Sequence, residues 1–239
     1  MAQAGEEKTS DSNQNDDVAA RTKCYRRYYT NDDLCIHNSA EDCWVSIYNQ
    51  VYDLTDLISE NRGPLAQPII EAAGQDISHW FTKDMEVKTY VDPETNLNKA
   101  FTPNGRFIHV PPLFPTTKWR TDFGTPWWKD EKYKIGQLTK KTRQIRLMNV
   151  LTKQETTLTV CSEETLMEIR DRYLEYNAHA ASYTWKRLEN TDFVSIDMEK
   201  TLAENGIEDE SIEFEKLGIN DDYYIPVIQL YFNDDLTIA

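Results

Sequence analysis

The stretch from residue 103 to residue 128 constrains the fold of this chain more than any other part of the sequence. It holds five of the nine prolines and three of the six tryptophans. Because proline has no amide proton and clashes with the preceding helical turn, this stretch is excluded from helix interiors. We therefore expect extended chain that carries large apolar side chains between two folded parts.

Two interpretations of this Pro/Trp-rich segment, taken as residues 101–132, stay open at the level of sequence. The segment is a strap that packs on the protein's own domains, or it is a docking surface for another protein. Tryptophan anchors commonly dominate the energy of protein interfaces. The docking interpretation names three residues, Trp119, Trp127 and Trp128.

The part before the strap, residues 24–100, has a compact α+β pattern. Thr30 or the residue after it can cap a short helix. Residues 43–47 and 50–54 have the composition of two strands joined by a turn. A second helix is expected to begin at Thr55 or at the next residue.

The part after the strap, residues 133–239, begins with two alternating runs that predict a β-hairpin, and a helix with Ser162 as its N-cap follows. A strand-like run at 182–186 and an apolar strand at 225–232 come next. Hairpin, helix, strand, loop and final strand is the order of the ubiquitin-like β-grasp, which this part resembles. The sequence ends without a Gly-Gly pair, so we expect a fixed protein-interaction module rather than a conjugated modifier.

The charge of the chain argues against two classes of main partner, although a local basic patch stays open. With 41 acidic and 26 basic residues, the formal net charge is −15, whereas nucleic acid and anionic membranes attract basic proteins. Residues 1–23 are polar and mostly acidic, and they predict a disordered tail. The sequence contains neither a signal peptide nor the roughly 18 apolar residues of a membrane span. We expect a cytosolic protein that binds neither nucleic acid nor membrane.

The sequence offers little for catalysis or metal chemistry. Its four cysteines, at positions 24, 35, 43 and 161, show no CxxC spacing. This spacing favours reduced structural thiols over a zinc site or a disulfide framework. GxGxxG, P-loop, GxSxG and HExxH motifs are also missing from the sequence, so we expect no enzymatic activity.

Part of the first region resembles cytochrome b5. The residues that carry the resemblance are Trp44-Val45, Val51-Tyr52-Asp53-Leu54-Thr55, Ala73-Gly74-Gln75-Asp76 and Phe81. Cytochrome b5 holds haem between two histidines, one in an HPGG motif after the Tyr-Asp-Leu-Thr strand and one five residues beyond the matched phenylalanine. The resemblance places Asn61 and Glu86 at those positions, and neither is a haem-iron ligand of the expected kind.

Other residues could replace the missing ligands. His79 and His109 are the candidate haem-iron ligands, because a neutral imidazole can bind iron. The alternative is that His79 packs beside its neighbouring tryptophan and that His109 fixes the strap. His37 and His179 are interpreted as structural. Tyr90 is a further candidate, since b5-like haem proteins of the progesterone-receptor-associated type use tyrosine.

The arrangement of the whole chain resembles a narrower family, in which a degenerate cytochrome b5 domain precedes a β-grasp domain. The stretches that carry this resemblance are residues 74–81, 105–112, 126–128 and 230–237. The resemblance implies a place in the cytoskeleton, in the axoneme of motile cilia and flagella, with radial-spoke proteins as partners. It also implies a link to haem binding and redox control of motility.

Two hypotheses about function follow. The first is a structural and regulatory protein of the axoneme, whose b5-like domain, strap and β-grasp domain are docking surfaces. The alternative is a haem-binding protein for redox sensing or electron transfer, with non-standard axial ligands.

Overall fold

The structure, a computed structural model, describes residues 26–232 apart from 115, 118, 120, 221 and 222. The predicted acidic tail, residues 1–23, lies outside the described residues. The elements of the first half are β1 (Tyr28–Tyr29), α1 (Asn31–Ile36), β2 (Trp44–Ile47), β3 (Gln50–Asp53), α2 (Thr55–Glu60), α3 (Gln67–Glu71), β4 (Thr89–Val91), β5 (Asn98–Ala100) and β6 (Lys134–Leu138). Those of the second half are β7 (Thr142–Asn149), β8 (Glu155–Cys161), α4 (Leu166–Tyr173), β9 (Tyr183–Glu189), β10 (Asp192–Ser195), α5 (Ser211–Leu217) and β11 (Val227–Phe232). No helix in this described part combines the length and the apolar composition needed to cross a lipid bilayer.

The first sheet has the strand order β1-β6-β3-β2. β2 and β3 form the antiparallel pair predicted from the sequence, with Trp44 opposite Asp53. The turn between them has positive φ at Tyr48 and Asn49, and this geometry matches the twist of two-residue hairpins. α1 begins where the sequence predicts, because the Thr30 hydroxyl accepts the Asp33 amide proton at 3.0 Å.

β6 completes the first sheet from the far side of the strap. It pairs antiparallel with β3 and parallel with β1. Gly136 allows this close approach, since a Cβ there would lie 2.6 Å from the carbonyl oxygen of Arg26. The sequence-based division started the second domain at residue 133, whereas the pairing assigns Lys134–Leu138 to the first sheet. Strand propensity is weak around a central glycine, so tertiary pairing decides this strand.

Two described parts of the strap, which spans residues 101–132, pack on the first half of the chain. Phe107, Ile108 and Val110 are buried in the same core as the side chains of β2, β3, α2 and α3, and so are Trp127 and Trp128. The structure therefore favours the first interpretation of this segment, in which it is part of the protein's own packing.

The second sheet has the strand order β10-β9-β11-β7-β8. β11 lies in the middle, parallel to β7 and antiparallel to β9. α4 buries Leu166, Ile169 and Tyr173 against this sheet. The hairpin, the helix and the final strand follow one another in the order predicted from the sequence, with β10 and α5 as additions that the sequence did not predict.

The N-cap of α4 differs from the prediction. Thr165, not Ser162, caps the helix: its hydroxyl accepts the Glu168 amide proton at 3.3 Å, and the Glu168 carboxylate accepts the Thr165 amide proton at 2.8 Å. The Ser162 hydroxyl instead donates to the carbonyl of Lys141 at 2.9 Å. The prediction of Ser162 was wrong because only Thr165 can form a reciprocal capping box, which needs an acid three residues later.

Polar contacts join the two halves. The Thr139 hydroxyl donates to the Glu163 carboxylate at 2.6 Å, and Arg27 forms an ion pair with Glu168 at 3.6 Å.

Within the second half, the buried Glu164 accepts a hydrogen bond from Arg172 at 2.8 Å. Burial raises the pKa of Glu164, and the Arg172 charge opposes that effect.

Candidate functional site: the aromatic core of the first half

The two positions that would hold the axial histidines of a cytochrome b5 are both at the surface. Asn61 ends α2, and its side-chain amide donates to the carbonyl of Leu57 at 2.9 Å. Glu86 keeps 64% of its side chain exposed and forms an ion pair with Lys129. Neither residue points a metal ligand into the interior.

His79 lies in a single 3₁₀ turn, Ser78–Trp80, and its side chain is exposed. Its ring meets the Trp80 ring edge-to-face, with 6.1 Å between the ring centroids. This is the packing role that the sequence left open for it. Tyr90, the other proposed ligand, is 48% exposed on β4.

His109 has a structural role in the strap. Its backbone is left-handed, with φ of 68°, and its ring stacks on Phe123 at 4.1 Å. Its Nδ1 atom accepts the backbone amide proton of Trp127 at 3.0 Å. This bond places the proton of the neutral ring on Nε2, so neither nitrogen offers a free lone pair. Burial lowers the pKa of His109, an effect that Asp130 partly offsets.

Five buried rings form what we call the aromatic core. Its members are Trp80, Phe81, Phe107, Trp127 and Trp128. Phe107 lies at the centre: its ring stacks on Trp80 at 5.0 Å, and the other three rings lie 5.8 to 6.1 Å from it, centroid to centroid. These are contact distances for aromatic rings, so no further planar ring fits between them.

Three different parts of the chain meet in this core. The first is Trp80-Phe81, which follows the helices of the b5-like part. The second is Phe107 and the third is Trp127-Trp128, and both of these come from the strap. Hydrogen bonds fix the strap side. The indole Nε1 of Trp127 donates to the carbonyl of Ile108 at 3.2 Å, and the buried Tyr52 hydroxyl donates to the carbonyl of Trp128 at 3.3 Å. Burial raises the pKa of Tyr52 to about 12.

The docking role predicted for Trp127 and Trp128 is contradicted by their burial. Only 0% and 4% of their surfaces are exposed, so neither can anchor a partner. Trp119 is half-buried at the strap surface, where it meets Phe123 edge-to-face at 5.8 Å and lies under the Arg106 guanidinium. Among the three predicted anchors, only Trp119 is placed where a partner could contact it.

The remaining sequence candidates are dispersed. His37 stacks on Trp44 at 3.6 Å, and its Nδ1 lies 2.7 Å from the carboxylate of Asp42. His179 is exposed and far from the aromatic core along the chain. Cys35, Cys43 and Cys161 are free thiols. In the described part of the chain, no three His, Cys, Asp or Glu residues form a group that could hold a metal ion.

The residues present do not fit a haem held in the cytochrome b5 manner. That cofactor needs two axial imidazoles and an apolar cleft wide enough for a planar ring. The corresponding positions supply Asn61 and Glu86, both at the surface, and the apolar interior is filled by the aromatic core. His79 and His109 make separate contacts and are not brought together as a ligand pair.

Sequence reasoning missed the role of Phe107 and misplaced the two adjacent tryptophans. The density of aromatic residues in the strap was visible, but burial depends on which surface the strap crosses. A usable signal was the apolar run Phe107-Ile108, which a solvent-exposed docking segment does not need.

Fold and site together define a b5-like protein whose interior is filled by its own side chains. A family described as "Cytochrome b5-like Heme/Steroid binding domain" matches residues 30–139, a range that includes β6. The cytochrome b5 domain-containing protein 1 of Xenopus laevis is 55% identical over 213 residues, which cover 88% of this chain and 96% of that protein. The Homo sapiens protein of the same name is 50% identical and covers 89% and 92%.

Among solved structures, cytochrome b558 of Ectothiorhodospira vacuolata is 31% identical and covers 27% of this chain and 80% of that chain, with a TM-score of 0.22. The similarity to the curated relatives over 88–89% of this chain decides the assignment. The chain belongs to the cytochrome b5 domain-containing protein 1 family.

Proposed function

We propose that this protein is a non-enzymatic structural and regulatory component of the motile-cilium axoneme, where it docks onto radial-spoke proteins. The aromatic core carries the structural half of this proposal, because it fills with side chains an interior that a haem carrier needs for its cofactor. The ciliary half rests on the resemblance of the whole chain to an axonemal family.

The energetics of the aromatic core are consistent with this proposal. Each buried aromatic side chain removes roughly 150–250 Å² from water and contributes strongly to packing. Five such rings in contact stabilise the b5-like half without a cofactor. A scaffold gains from this arrangement, since its shape then does not depend on haem supply.

The docking proposal is tested with axonemes. The purified full-length protein is added to demembranated axonemes that have been washed with high salt to remove endogenous protein. Saturable co-sedimentation at physiological salt, competed by unlabelled protein, is the expected result. A globular acidic protein of similar size serves as the control for non-specific trapping, and equal sedimentation of the two would contradict the proposal.

Haem binding is the second candidate, and the description of the matching family as a haem/steroid-binding domain favours it. In this candidate His79 or His109 would be the ligand. The structure opposes that arrangement, since His79 is exposed and the His109 ring is engaged at Nδ1.

Titration with hemin separates the two candidates. We expect the absorbance spectrum of the mixture to stay that of free hemin, for the wild-type protein and for the His79→Ala, His109→Ala double variant alike. A sharp Soret band in the wild type that is lost in the double variant would establish the haem-binding candidate instead.

A further inference from the structure

One strand in the interior of the second sheet is only half paired. β7 pairs with β8 from Thr142 to Met148, but on its other side β11 pairs only from Arg146 onward. The pairing with β11 begins where the amide of Arg146 donates to the carbonyl of Pro226 at 2.9 Å. Residues 142–145 of β7 therefore have a strand neighbour on one side only.

Pro226 explains why the pairing stops. In a parallel pair, the next bond along β11 would run from the amide of residue 226 to the carbonyl of Gln144, and proline has no amide proton. Backbone groups alternate in direction along a strand, so Thr142 and Gln144 point the same way as Arg146. Within the described residues, no backbone hydrogen bond outside the strand ladders reaches Thr142 or Gln144.

Thr142 and Gln144 of this open edge line a groove of about 780 Å³, which is within the range of roughly 300–1,000 Å³ that is typical of ligand sites. Side chains of α5 and residues 218–220 and 224–226 form a further wall of this groove. Apolar side chains there include Phe214, Ile219 and Tyr224. No residue of α5 is buried, so this helix contributes no side chain to the protein's own core.

The charge of the groove is acidic. Its lining contains five carboxylates and two cations. The two cations are already engaged: Lys141 pairs with Asp209 at 2.7 Å, and the Arg143 guanidinium donates to the carbonyls of Ile207 and Glu208. The carboxylates of Glu208, Glu210 and Glu215 have no such partner among the described residues. These three carboxylates are therefore available to attract a cation.

We propose that this groove binds an extended segment of a partner protein in which basic and apolar residues alternate, and that the segment adds as a strand to residues 142–145 of β7. Main-chain bonds to Thr142 and Gln144 give the affinity of such strand addition, and alternate side chains give its specificity. The basic side chains meet the free carboxylates, and the apolar ones meet the wall at Phe214. This inference rests on the docking function proposed above and names its surface.

The probe for the test is a short fluorescein-labelled peptide of alternating lysine and valine, added to the full-length protein at physiological salt. We expect saturable binding by fluorescence anisotropy. Hydrogen exchange at the Thr142 and Gln144 amides should slow when the peptide is present. The same peptide with glutamate in place of lysine, and one with N-methylated valines that cannot donate backbone bonds, should each bind at least about tenfold more weakly.

Charge variants locate the site. The triple variant Glu208→Lys, Glu210→Lys, Glu215→Lys should weaken peptide binding at least about tenfold. The matched triple Glu175→Lys, Glu199→Lys, Glu213→Lys changes the net charge equally outside the groove, and Glu213 lies on the same helix as Glu215. It should change binding by less than about twofold, because none of its three residues lines the groove and exposed charges that do not touch the peptide are weakened by screening at this salt.

Absence of binding, unchanged exchange at Thr142 and Gln144, or equal weakening by both triple variants would each overturn the proposal. These outcomes are separate from the axoneme test. If the peptide fails while the protein still co-sediments with axonemes, the groove is not the docking surface and the docking function stands. If the peptide binds but co-sedimentation is absent, the groove is a peptide site and the axonemal function is wrong.

Discussion

In the aromatic core, the indole nitrogens of Trp127 and Trp128 differ in their hydrogen bonding. The Nε1 of Trp127 donates to the carbonyl of Ile108, whereas the Nε1 of Trp128 is buried without a partner among the described residues. Replacing Trp127 by Phe removes a hydrogen bond and leaves a buried carbonyl unpaired. Replacing Trp128 by Phe removes a buried donor that costs about 1–3 kcal/mol to leave unsatisfied.

We therefore predict that Trp127→Phe lowers the free energy of unfolding by at least about 1 kcal/mol more than Trp128→Phe does. Both changes remove similar volume, so the cost of the cavity cancels in the comparison. Urea unfolding followed by far-UV circular dichroism measures the difference. Equal losses in the two variants would contradict the assigned hydrogen bond.

The His109 ring predicts a pH dependence of stability. Its pKa in the folded protein is below the ordinary value of 6.5, so the unfolded chain binds the proton more readily. The contribution of His109 is fully present above pH 6.5 and is lost as the pH falls below that value towards the folded pKa. Protonation also removes the acceptor that holds the Trp127 amide.

The measurement compares wild type with His109→Asn, which tolerates the left-handed backbone and does not titrate. The wild type should lose more unfolding free energy than the variant between pH 7.5 and pH 5.5. Parallel pH profiles would exclude His109 as the responsible group, since all other titrating groups are shared.

At the scale of elements, the capping box of α4 makes a prediction of its own. Thr165→Ala removes the hydroxyl that accepts the Glu168 amide proton and should cost about 1 kcal/mol of unfolding free energy. Thr165→Ser keeps the hydroxyl and serves as the matched control, with a cost of a few tenths of a kcal/mol. Chemical denaturation of both variants checks this prediction, and equal losses would place the cap elsewhere.

Elements with local signals could be predicted from the sequence, and those decided by distant contacts could not. The β2–β3 hairpin, the β7–β8 hairpin and α4 follow from alternation, turn residues and helical spacing. β6 contains Gly136, and its strand state depends on pairing with β1 and β3. α5 buries none of its residues, so no apolar stripe directed towards a core marked it in advance.

The candidate site, too, could be predicted from the sequence only where the signal is local. The loss of both axial histidines is visible in the sequence at Asn61 and Glu86. What occupies the interior instead was not visible, because Trp127 and Trp128 carry the same apolar signal whether they face a partner or the core. Only the path of the strap across the first half distinguishes the two cases.

At the scale of the whole molecule, β6 fixes the boundary between the halves. A fragment that ends at residue 132 keeps the b5-like helices and the strap but lacks β6, so the inner edges of β1 and β3 lose their partner. A fragment that ends at residue 141 keeps the complete first sheet. We predict that the longer fragment folds cooperatively and that the shorter one does not.

Two-dimensional NMR spectra of the two fragments, each beginning at residue 1, test this boundary. Dispersed amide resonances and a single unfolding transition are expected for the longer fragment only. Two equally well-folded fragments would show that the strand pairing of β6 is dispensable and that the domain ends before it.

The long separation between β3 and β6 has a consequence for synthesis on the ribosome. Gln50 and its neighbour Gly136 across the sheet are 86 residues apart along the chain. At roughly 5–20 residues per second, β3 waits on the order of ten seconds for the strand that covers its edge. During that interval the nascent chain exposes an unpaired strand edge on β3, a template for aggregation. A premature stop codon between the two strands would release a polypeptide in which that exposure is permanent.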